Sequence, residues 1–115
     1  MSRTNKLHAR LATLEGELAS AILAEVAKIA DGKESKYITR HMGAWDAREY
    51  SDPSIDSIEK LEREVISLRT KFGMPPQEWP LSLIADWEFY VQSNEERRSI
   101  ARRILNDHRT TEAKV

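Results

Sequence analysis

The sequence contains no cysteine. That absence excludes disulfides, thiolate zinc sites and cysteine nucleophiles together. Glycine and proline are scarce, four of each in 115 residues, so the chain has few places to turn and a helix-rich fold is predicted. Charge of one sign is not in excess: 18 Lys and Arg stand against 19 Asp and Glu, a formal net charge of −1. No global field therefore draws the chain to nucleic acid or to an anionic membrane. Long apolar runs are missing too. Nothing approaches the roughly 20 apolar residues that cross a bilayer, and MSRTNKLHARLATLEGELAS has no uninterrupted apolar run of signal-peptide length. The expectation is a cytoplasmic protein with no membrane partner. Glycine-rich phosphate loops, whether GxGxxG or GxxxxGK[ST], do not occur.

What remains is 40% hydrophobic and 32% charged, an ordinary composition for one globular domain over 1–115, with frayed ends at about 1–5 and 110–115. Helical periodicity is the strongest signal. Leu7, Leu11, Leu14 and Leu18 alternate by four and three, and the stripe continues through Ile22, Val26 and Ile29. Ala12, Ala19, Leu23 and Ala30 form a second, flatter face, so a first helix from about Lys6 to Ala30 should pack on two sides. Gly32 is a natural stop for it.

Asp52-Pro53 reads as an N-cap followed by a first helical residue. Ile58, Leu61, Val65, Leu68 and Phe72 then follow at spacings of three and four, and Gly73, Pro75 and Pro76 end the helix. A third helix is expected in Leu81–Val91, where period two also fits but Pro80 marks a helix start and both neighbours are helical. Its apolar residues nearly encircle it. Ser93-Asn94-Glu95-Glu96 is a capping box that opens a fourth helix over about Glu95–His108, with Ile100, Ala101, Ile104 and Leu105 facing inward. Residues 33–51 are the least regular stretch and read as a short helix or irregular segment, either core or functional loop. The predicted fold is all-α, a small bundle of about four helices. Its core should hold Leu11, Leu14, Leu18, Ile22, Ile58, Leu61, Val65, Leu68, Ile84, Trp87, Ile100 and Ile104.

No catalytic constellation stands out, and no cofactor is expected. The histidines His8, His41 and His108 are far apart and form no HxxxH or HxH array, and no Glu-x-x-His pair is present, so no metal site is expected. The most site-like cluster is RHMGAWDAREY, which gathers His41, Trp45, Asp46 and Arg48. A base such as His41 beside an orienting Asp46 could transfer protons, but on a helix 41 shares a face with 45 rather than 46. An enzyme using this segment is the third reading of function.

The first reading is a non-enzymatic protein–protein interaction module: an adaptor, a small accessory subunit or a binding inhibitor. Its partner would be another protein chain, self or hetero. Two apolar helix faces exceed what a small bundle can hide, and Trp and Arg are favoured at interface hot spots. The residues assigned to such a face are Trp79, Leu81, Trp87, Phe89 and Tyr90, with Arg98 and Arg102 at its rim. The second reading is a small dimeric nucleic-acid-associated protein using Arg98, Arg102, Arg103 and Arg109. Residues 73–92 carry three acids and no Lys or Arg, whereas 93–115 carry six basic residues against four acids. That gives a positive stripe, but a narrow one interleaved with carboxylates.

Overall fold

The computed structural model describes residues 3–41, 53–78 and 93–113, and these form helices and no strand. Helix α1 spans Arg3–Ala30, α2 Lys36–His41, α3 Pro53–Lys71 and α4 Asn94–Ala113. The all-α class is as the periodicity predicts. The helix expected over Leu81–Val91 lies outside the described residues, as do the Asp52 cap and the core positions Ile84 and Trp87. Helices α1 and α4 run further than their apolar stripes suggest, α1 beginning at Arg3 and α4 reaching Ala113, through residues expected to fray. Neither extension contains Gly or Pro to break the helix.

Helix α1 is the hub. It packs against α2, α3 and α4, and α2 also touches α3, whereas α3 and α4 share no extensive interface among the described residues. Of the second, flatter face expected on the first helix, Leu23 and Ala30 are partly buried against the core, whereas Ala12 is exposed. Leu11, Leu14, Leu18, Ile22, Val26 and Ile29 are buried along α1; Ile55, Ile58 and Val65 meet them from α3, and Ala101 and Ile104 from α4. Leu61, Leu68 and Ile100, expected in the interior, are only partly buried at its edge. With one helix serving two neighbours, the inner stripe of each outer helix is narrow and its flanks stay wet.

The irregular region contributes more core than its composition suggests. Tyr37 and Ile38, adjacent on α2, are both fully buried. A six-residue helix is too short to show a period. Its residues are buried because α2 contacts both α1 and α3, not because a stripe recurs. Within residues 33–51, Ser35, Tyr37 and Ile38 belong to the core, whereas Lys33 and Glu34 are exposed.

The stops of α1 and α3 are Schellman motifs. At α1, Lys33 N–H donates to the Lys28 carbonyl at 2.8 Å and Gly32 N–H to that of Ile29 at 3.0 Å; at α3, Met74 N–H donates to Arg69 at 2.8 Å and Gly73 N–H to Thr70 at 3.1 Å. The glycines need their left-handed φ of +80° and +67°. Gly16, inside α1, needs nothing of the kind, and a Cβ there or at Gly73 meets no atom within 4 Å. Opposite signs are therefore expected. Gly73→Ala should destabilise by about 1 kcal/mol through backbone strain, and Gly16→Ala should stabilise by about 0.5–1 kcal/mol through helix propensity. Thermal melts of the two variants check this, and equal signs would contradict the assigned geometry.

At the start of α4 the Ser93 N-cap of the predicted capping box forms: Ser93 Oγ accepts from Glu96 N–H at 3.0 Å. Ser35 Oγ likewise accepts from Ile38 N–H at 3.2 Å to start α2. Among the described residues no helix is long and apolar enough to cross a membrane.

Candidate functional site

Among the described residues three places carry chemistry, and they differ in kind. The first is a polar strut inside the core. The Tyr37 hydroxyl donates a hydrogen bond to Glu62 of α3. Burial raises the phenol's pKa far above its usual value, and the hydrogen bond to Glu62 and the negative charges of Glu62, Glu59 and Glu25 push it further the same way. Beside it, Glu25 is 4% exposed yet well partnered. Lys28 Nζ lies 2.5 Å from one carboxylate oxygen, and Ser35 Oγ donates to the other at 3.3 Å. A buried carboxylate held this way tolerates its burial because both oxygens have partners. The cluster ties α1, α2 and α3 together, and the Tyr37 hydroxyl and the Glu25 carboxylate are taken up by Glu62, Lys28 and Ser35, so its role is structural.

The second place is the outer flank of α3. Arg69 Nη1 pairs with Glu15 of α1 at 2.7 Å, while its Nε donates to the Pro75 carbonyl at 2.7 Å. One guanidinium thereby docks α3 on α1 and folds the chain after Gly73 back onto the helix. Arg10–Glu64 at 3.0 Å is a second inter-helix pair, more exposed and worth roughly 0–1 kcal/mol. Above Arg69, Ile66 is 57% exposed and Met74 37%. With Thr70, Pro76 and Gln77 they line a small crevice of about 120 Å³. Ile66 was not among the residues singled out in the sequence. It sits off the Ile58–Phe72 stripe, and that displacement was the available signal.

The third place is a cleft of about 330 Å³ where the end of α1, the start of α2 and the start of α4 meet. Lys33, Arg97 and Arg98 line it, together with Asn94, Thr39 and Glu34. The Arg98 side chain lies over Gly32, its Cζ 3.9 Å from where a Cβ on that glycine would stand. A cation over the C-terminal end of α1 is favourably placed against the helix dipole. Thr39 Oγ1 donates to the Ser35 carbonyl at 2.8 Å.

The structure treats the sequence-assigned residues unevenly. Arg98, Arg102 and Arg103 are exposed on α4. Arg98 alone of these lines the cleft, where it joins Lys33, which is 65 positions away along the chain and shares no helical face with it. Arg109 is in α4, but its side chain is outside what is described. His41 closes α2, and its side chain is likewise not described. Trp45, Asp46, Arg48, Trp79, Leu81, Trp87, Phe89 and Tyr90 lie outside the described residues. Among the described residues no group of three His, Asp or Glu side chains is placed to hold a metal ion. His8 stacks on Phe72, ring centroids 3.9 Å apart and planes 12° from parallel, which uses that histidine as packing between α1 and the end of α3.

Comparison with protein-family models, with curated proteins and with solved structures finds no match to this chain.

Proposed function

We propose that this chain is a non-enzymatic interaction protein, an adaptor or small accessory subunit that docks another protein chain through an apolar helix face. The observation that carries this reading is Ile66, a large aliphatic residue 57% exposed in the middle of a well-formed helix, with Met74 beside it. Single exposed apolar residues are commonplace. Two that line one crevice, with an arginine at its edge, have the composition of an interface core and rim. After this crevice the sequence is mostly apolar from Trp79 to Val91, with Ser82, Asp86 and Glu88 as the polar exceptions.

The test is capture of partners from native lysate by the tagged chain, in nuclease-treated and untreated halves, for the wild type and for Ile66→Asp. Ile66→Asp should leave stability within about 0.5 kcal/mol, because the site is exposed. It should weaken the captured protein's binding by about tenfold or more if Ile66 is a hot spot. A protein retained after nuclease and lost with Ile66→Asp supports the proposal; equal capture by both forms overturns this face. A second reading, nucleic-acid association, is favoured by the exposure of Arg98, Arg102 and Arg103 along α4. Material that disappears with nuclease, and with added salt, would move the assignment there.

A further inference from the structure

We infer that the cleft between the end of α1 and the start of α4 binds a phosphate group, carried by a small phosphomonoester. Three cationic side chains, Lys33, Arg97 and Arg98, face one carboxylate, Glu34, around this space. Such an excess in one concavity is unexpected in a chain whose net charge is −1. The side chains of Lys33 and Arg98 have no ion pair or hydrogen-bond partner among the described residues, although Glu34 and Glu95 are close to them in the sequence. Elsewhere the structure does pair its cations with carboxylates, as at Arg10, Lys28 and Arg69. Arg97 is half-buried and engaged within the chain. Arg98 is oriented by its packing over Gly32, where only a glycine leaves φ unstrained.

Guanidinium groups match the oxygens of phosphate with two parallel N–H donors, and lysine adds a point charge. Asn94 contributes an amide that both donates and accepts. The volume of about 330 Å³ is at the small end of ligand sites, which admits a phosphate with a short organic part. Glu34 on the lining repels a bare anion and suits a ligand that presents a hydroxyl or amino group beside its phosphate. A nucleic-acid strand fits less well, because Arg102 and Arg103 lie outside the lining of the cleft. This site is separate from the Ile66 crevice, so the two proposals fail independently.

The experiment is an amide NMR titration at low ionic strength with inorganic phosphate, with glycerol phosphate and with a single-stranded oligonucleotide. Saturable shifts centred on Gly32–Glu34 and Asn94–Arg98 are expected with both phosphate compounds. The double variant Lys33→Gln, Arg98→Gln should weaken them about tenfold or more, since it removes two charge-assisted contacts. Arg102→Gln with Arg103→Gln should leave them unchanged, and Glu34→Gln should tighten inorganic phosphate. All of these positions are exposed, and unchanged helical circular dichroism confirms that each variant is folded. Shifts that never saturate, an equal loss in both double variants, or a preference for the oligonucleotide governed by Arg102 and Arg103 would each overturn the inference.

Discussion

Tyr37→Ala is expected to destabilise the protein by about 3–5 kcal/mol, the range for removing a buried aromatic side chain. That is a large part of the roughly 5–15 kcal/mol that holds a domain of this size together. The residue is completely buried, and its hydroxyl ends on Glu62, so alanine there removes the ring contacts among three helices and the donor at once. Tyr37→Phe separates the two contributions. It keeps the ring and deprives the Glu62 carboxylate of its partner, which should cost about 1–2 kcal/mol at neutral pH. The pH dependence follows from the direction of the shift. The folded protein holds the phenol's pKa above its unfolded value, through burial first and the Glu62 interaction second. The hydroxyl's contribution is therefore complete below about pH 10, and it declines as pH rises from there toward the folded value, by at most about 1.4 kcal/mol per unit. Urea unfolding of wild type and Tyr37→Phe at neutral and alkaline pH reads this directly. The gap between them should narrow in alkali; a gap that stays constant would mean the hydroxyl is not coupled to the fold.

Leu18→Ala should cost a further large amount, about 3–5 kcal/mol, and its distribution is as informative as its size. Leu18 is fully buried at the centre of the α1 stripe, and α1 is the helix on which both α3 and α4 pack. Because α3 and α4 lack an extensive contact of their own among the described residues, a cavity at the hub loosens both interfaces together. Native-state hydrogen exchange should show protection falling in α3 and α4 alike. Ile104→Ala, at the α4 side, should lower protection mainly in α4. Protection lost from α3 alone in Leu18→Ala would show that the hub description is wrong.

The candidate sites were legible to different degrees. Arg98 was visible as part of an arginine stripe, because residues four apart on a helix share a flank. Its neighbour Lys33 was not, because they come together only when the stop after α1 meets the start of α4. The Glu15–Arg69 and Arg10–Glu64 pairs are hidden for the same reason, each joining residues 54 positions apart. Ile66 could have been noticed as an aliphatic residue off the seam, but its exposure depends on which face α3 turns to α1.

By itself the sequence determined the all-α class, the stripes of α1, α3 and α4, the glycine stops at Gly32 and Gly73 and the Ser93 cap. These depend on interactions within one or two helical turns, where spacing along the chain is spacing in space. The tertiary structure alone decided that α1 is the hub, that Tyr37 and Ile38 belong to the core, that Glu25 can be buried and that Lys33 faces Arg98. Each of these depends on surfaces that meet across long stretches of chain. Burial is a property of the pair of surfaces in contact, and the period of either one does not encode its partner.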